Sequence, residues 1–80
     1  MKDLLERFSL TLRERGLAKQ TQTNYLTGLR RFFKYLGEKD PLSVDQDDIR
    51  RYQVSLVDEE LAAKTINLYM AVVRSFYLET

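Results

Sequence analysis

This sequence predicts an all-α fold, a compact bundle of four helices, and three observations carry that prediction. Apolar residues recur at helical spacing in four separate stretches, while β-branched residues are few and no alternating run appears. Gly16, Gly37 and the pair Asp40-Pro41 punctuate those stretches as turns between helices do. Finally, residues 17–33, LAKQTQTNYLTGLRRFF, are echoed by residues 61–77, LAAKTINLYMAVVRSFY. Six positions are identical: Leu17/Leu61, Ala18/Ala62, Thr21/Thr65, Tyr25/Tyr69, Arg30/Arg74 and Phe32/Phe76. Three more keep their character: Leu26/Met70, Leu29/Val73 and Phe33/Tyr77. One amphipathic helix is written twice, and two such helices in a small domain can act as a pair on one surface.

The first helix is expected over about 3–15, with Leu4, Leu5, Phe8 and Leu12 on one face and Gly16 at its C′ position. The second is expected over about 19–36. Its apolar stripe runs through Tyr25, Leu29, Phe32 and Leu36, widened by Leu26 and Phe33, and Gly37 stops it. The third begins near Asp45, a good N-cap, with Asp47 and Asp48 at the positive end of the helix dipole. Ile49, Tyr52, Leu56 and Val57 are its expected inner face, and Asp58-Glu59-Glu60 closes it. The fourth runs over about 63–79, with Ile66, Tyr69, Met70, Val73, Phe76 and Tyr77 inward. At this spacing the aromatic residues belong to the core.

Eighty residues make one domain, expected to span 1–80. A core of this size buries roughly 60–65% of the unfolded surface. The sequence contains no cysteine and no histidine, which excludes disulfides, thiolate chemistry, His-based triads and His-ligated metals within it. No glycine-rich phosphate loop is present. No cofactor, metal or catalytic residue is therefore expected. The start, MKDLLERF, lacks the apolar run of a signal peptide, and no stretch approaches a membrane span of ~18 apolar residues. A cytoplasmic, monomeric domain without membrane contact is the expectation.

The formal net charge of +1 hides a division along the chain. Residues 15–37 hold Arg15, Lys19, Arg30, Arg31 and Lys34 with no acid, whereas residues 38–60 hold eight acids against Lys39, Arg50 and Arg51. Such segregation gives a folded surface a basic side and an acidic side, and the basic side suits a polyanion. Opposite the apolar stripe of the second helix stand Gln20, Thr23, Thr27, Arg30, Arg31 and Lys34, with Lys19, Thr21 and Asn24 near its start. Thr, Asn and Gln bond phosphates or base edges, and Arg and Lys neutralise phosphates. The fourth helix offers Lys64, Thr65, Asn67 and Leu68 in its first turns, where backbone N–H groups also favour an anion. Taken singly, each of these residues reads more readily as part of a solvated face or as support for a first helical turn than as a DNA contact, and it is the joint pattern on two acid-free helices that points to nucleic acid. Gly28, mid-helix, permits a close approach either to the fourth helix or to a backbone.

The ordered set of motifs resembles a known family. It runs G-L-A-x-x-T-x-x-x-Y-x-x-x-L-R-x-F-F from Gly16 to Phe33, P-L-x-V from Pro41 to Val44 and I-x-x-Y from Ile49 to Tyr52. L-A-x-K-T-I-N from Leu61 to Asn67 and V-R-S-F-Y from Val73 to Tyr77 complete it. Together they resemble the N-terminal core-binding domain of tyrosine site-specific recombinases of the phage-integrase and Xer type. Ala18 and Ala62 stand where that family usually has Ser.

The resemblance implies a SAM-like bundle forming one half of a clamp around double-stranded DNA, with the second and fourth helices facing the major groove. By position, Thr21, Thr23, Asn24, Thr27 and Arg30 would contact DNA, as would Lys64, Thr65 and Leu68. It also implies that the catalytic Arg, Lys, His and nucleophilic Tyr lie in a separate C-terminal domain. The present domain would then be an excised, catalytically silent module that meets other recombinase protomers on DNA. The alternative is a helical protein-interaction module working through the acidic segment 38–60.

Overall fold

A helix can end only where its last carbonyls find partners and the chain can turn. Here two corners do this in a similar way. The computed structural model describes residues 2–79, with side chains from 3 to 78, so Met1 and Thr80 of the expected 1–80 domain lie outside the described residues. α1 spans Lys2–Glu14, α2 Lys19–Leu36, α3 Gln46–Asp58 and α4 Ala63–Glu79, with a single 3-10 turn at Pro41–Ser43. The four helices fall where periodicity places them, and no strand occurs among the described residues.

α1 closes in a left-handed turn at Gly16 (φ 69°). The N–H of Gly16 donates to Arg13 O at 3.0 Å and that of Leu17 to Leu12 O at 3.5 Å, the bonding of a Schellman motif. Leu17 then packs against the core. The corner from α3 to α4 repeats the left-handed turn and the first of these two bonds. Glu60 takes the left-handed conformation (φ 61°), and its N–H donates to Val57 O at 2.9 Å. Glu60 is the counterpart of Gly16 in the repeat, so an L-residue sits where glycine carries no steric cost.

Between the two hairpins, Asp40 accepts from the Leu42 N–H at 2.9 Å to cap the 3-10 turn, and Pro41 is buried. The Tyr77 hydroxyl donates to Pro41 O at 2.7 Å and fastens this connection to α4. α3 opens with a capping box: Asp48 N–H donates to Asp45 at 2.9 Å and Asp45 N–H to Asp48 at 3.2 Å. The Lys39 ammonium, 2.7 Å from Asp48, and the Asp45 amide together hold the Asp48 carboxyl below its usual range.

The buried core comprises Phe8, Leu12, Leu29, Phe32, Phe33, Tyr52, Leu56, Met70, Val72, Val73 and Phe76. Phe32 meets Tyr52 edge-on at 4.9 Å, and Phe76 meets Phe8 at 5.7 Å and Phe33 at 5.5 Å, geometries that aromatic quadrupoles favour. Two residues depart from expectation. Val57 is 56% exposed, not inward. It lies about 100° round the helix from Leu56 and about 140° from Tyr52, the two residues that fix the buried face of α3. Val72, absent from the expected inner face, is fully buried.

Val72 is buried because it meets Gly28. A Cβ on Gly28 would lie 3.1 Å from Val72 Cγ2 and 3.2 Å from Tyr69 Cδ1, tighter than ordinary contact. Gly28 thus serves helix packing, which settles the choice the sequence left open. Gly28 and Val72 are also repeat equivalents. Around them, Arg31 of α2 reaches Tyr69 of α4, while Tyr25 of α2 lines a groove with Ser75 of α4. These pairs interchange under the repeat and run in opposite order along the two helices, so the approach of α2 to α4 follows an approximate two-fold pattern. This is the most extensive helix–helix interface in the domain.

Gly28→Val should lower stability by about 1–3 kcal/mol through overpacking against stiff Val72; a urea titration in which Val is tolerated would contradict the close crossing. Glu60→Gly should raise stability by about 0.5–1 kcal/mol by removing left-handed strain, read in the same titration. Burial raises both Tyr52 and Tyr77 from 10.0 to about 12. The unfolded chain therefore ionises first, so their stabilising contribution is intact below pH 10.0 and is lost as pH rises towards about 12. Thermal melts across that window should show the fall, and Tyr77→Phe should make it shallower.

Candidate nucleic-acid interface

The buried stripe of α2 leaves its opposite face to solvent. Lys19, Gln20, Thr23, Asn24, Thr27, Arg30 and Lys34 are all exposed there. Gln20 donates to Asn24 Oδ1 at 3.1 Å, which sets the two amides as a pair on the surface. Ala18 caps α2 without a side-chain hydrogen bond, so the first-turn N–H groups keep their capacity to bind an anion. The loop before it is held instead by Gln22, whose amide donates to Leu17 O at 2.7 Å.

On α4, Lys64 and Asn67 are exposed, while Thr65 and Leu68 are half-buried. Leu68 leans on the core, so most of its apolar surface is already used in packing. Thr21 is half-buried as well, in register with Thr65. The crossing of α2 and α4 places these residues on adjoining helices. α2 carries no acid, and on α4 the one acid is Glu79, outside the described side chains.

The structure separates Arg30 from Arg31. They lie about 100° apart on the helix, and their neighbours differ. Arg30 lines a groove with Leu5, Glu6, Ser9 and Leu26, on the side of α1. Arg31 turns towards α3 and α4, where its guanidinium pairs with Glu59 and stands 5.3 Å from the Tyr69 ring centre, a cation–π contact. The Glu59 carboxylate raises the Arg31 pKa further above its ordinary value. Among the described residues, Arg31 is the one cation of α2 tied to an acid in this way.

Beside Arg31, a groove between α2 and α3 is lined by Lys34, Tyr35, Tyr52, Ser55 and Glu59. Neither Tyr52 nor Glu59 stands out in the sequence as a site residue. The available signal is a run of three acids at the C-terminal, negative end of a helix, where the dipole disfavours them. Among the described residues, no group of three or more His, Cys, Asp or Glu is placed to hold a metal ion, and no helix is long and apolar enough to cross a membrane.

Residues 4–80 match the family model described as the phage integrase N-terminal SAM-like domain. The chain is 35% identical, over its whole length, to a putative integrase/recombinase y4qK of Sinorhizobium fredii, covering 26% of that protein. It is 32% identical to the tyrosine recombinase XerC of Chlorobaculum tepidum, with 79% of this chain aligned to 21% of that protein. It therefore spans about a quarter or less of the length of these curated relatives. No solved structure gives a significant match. With its four-helix architecture and a family model matched over nearly its whole length, the chain belongs to the phage-integrase N-terminal SAM-like domain family.

Proposed function

We propose that this domain grips duplex DNA with the exposed faces of α2 and α4, as one arm of a clamp at a recombination site. The observation that carries this reading is the charge of those faces. Lys19, Arg30, Lys34 and Lys64 stand exposed on two crossed helices with no acid among their described side chains. A phosphate backbone rewards that arrangement through counterion release, and the interspersed Thr23, Asn24, Thr27 and Asn67 offer hydrogen bonds to phosphates and base edges.

The family name and the recombinases it resembles support the same reading. On this view the domain performs no chemistry itself. The strand-cleaving residues belong to the remainder of a longer recombinase, whose protomers meet on DNA in the cytoplasm. Its own contribution is position: it holds the duplex from the side opposite the catalytic part.

Nuclear magnetic resonance titration with a duplex of about 20 base pairs, a length on the scale of two helical turns, tests the proposal. Shifts are expected on the solvent faces of α2 and the first turns of α4. The joint variant Arg30→Ala with Lys64→Ala should weaken binding about ten-fold or more and flatten the log–log salt slope by about two. Shifts confined to α1 and α3, or unchanged binding by the double variant, would refute the reading in favour of a protein-interaction module.

A further inference from the structure

We infer that the groove between α2 and α3 is a seat for a DNA backbone phosphate, and that Glu59 fills it in the free domain as a carboxylate stand-in. The inference rests on the duplex-binding reading above but adds a specific site and a resident competitor.

Three features converge there. Arg31 presents a guanidinium with five N–H donors, of which Glu59 engages one edge through a single contact. Lys34 stands exposed on the same rim. At the floor, the Tyr52 hydroxyl is buried beside the Arg31 guanidinium, which pulls its pKa down against the larger effect of burial, and it makes no hydrogen bond of ordinary geometry. A buried hydroxyl left unpaired is costly and calls for an explanation. Its environment keeps it protonated to about pH 12, so at neutral pH it remains a donor. Ser55 is not a competing donor, because its hydroxyl already donates to Tyr52 O at 2.6 Å.

Glu59 does not satisfy all of this. It bonds Arg31 and leaves Tyr52 unpaired. A phosphodiester is larger and tetrahedral, and its oxygens can face a guanidinium, an ammonium and a hydroxyl from different sides. Glu59 is also easily displaced. Its side chain is 50% exposed and that of Arg31 35%, and ion pairs so open to solvent are weak. It stands at the negative end of α3 between Asp58 and Glu60, where the helix dipole disfavours an acid. The carboxylate thus occupies a position that a stronger anion can take.

The test is duplex binding across a salt series for five variants. Glu59→Gln should tighten binding about three- to ten-fold and steepen the log–log salt slope by about one, because Arg31 then gains a phosphate contact that Glu59 otherwise blocks. Glu60→Gln removes the same charge one residue away and should change affinity less than about two-fold, a rim-charge effect. In an Arg31→Gln background, Glu59→Gln should have no effect, a coupling read by a double-mutant cycle. Tyr52→Phe should weaken binding about three-fold or more while the melting temperature holds or rises, which a purely structural hydroxyl would not produce.

If Glu59→Gln and Glu60→Gln behave alike, or if Tyr52→Phe leaves binding unchanged, the seat is refuted while the duplex-binding reading stands. If the unaltered domain binds no duplex at any salt, both fail together. Inorganic phosphate at tens of millimolar, a weak point ligand by comparison with a polyanion, should not saturate the Tyr52 and Arg31 resonances. Saturation there would overturn the assignment to backbone phosphate in favour of a free-anion site.

Discussion

The domain depends on a place where a side chain is missing. α2 and α4 approach closely because Gly28 has no Cβ, and Val72 fills the space against it. A mid-helix glycine costs about 1 kcal/mol in helix propensity relative to alanine, so the chain gives up local stability for a close crossing. The crossing then determines the rest. It carries the most extensive contact between described helices and brings residues of both apolar stripes into the core that holds Phe32, Phe76 and Tyr52. Without it, α1 with α2 and α3 with α4 would be two hairpins, each too small to bury its own apolar face.

Charge is arranged around that frame rather than within it. Among the described residues, no charged side chain belongs to the buried core, and Tyr52 brings its hydroxyl there on an aromatic ring. The cations of α2 fan out to different neighbours, with Arg30 towards α1, Lys34 into solvent and Arg31 towards α3 and α4. The acidic segment also has local work. Asp45 and Asp48 cap α3, Asp40 caps the 3-10 turn, and Glu59 holds Arg31. Much of the charge separation along the chain is thereby spent on helix ends and on one cross-helix pair. Among the described residues, the exposed cations Lys19, Arg30, Lys34 and Lys64 are the surplus that the proposed DNA grip uses.

Helix positions were legible because each signal was local: apolar spacing, Gly16 and Gly37 at helix ends, and Asp45 before α3. The misplacement of Val57 and the omission of Val72 share one cause, since both depend on which neighbour a helix meets rather than on its own pattern. Val57 continues an apolar run but stands 56% exposed. Val72 reads as a spare residue beside Val73 until Gly28 is placed opposite it, and the repeat offset that pairs them was present in the sequence. At the candidate site, exposure followed from the helical wheel. The tie between Arg31 and Glu59 did not, because it joins residues 28 apart on different helices.

The approximate two-fold pattern relating α2 to α4 has one more consequence. A symmetric frame has no front or back, since rotation about its axis exchanges one helix for the other. Much of the difference between the two helices is therefore written in side chains, where Arg31 and Lys34 on one helix correspond to Ser75 and Leu78 on the other. The left-handed corners differ in the same way, glycine at one and glutamate at the other. Two helices of one pattern thus present different surfaces through a handful of residues.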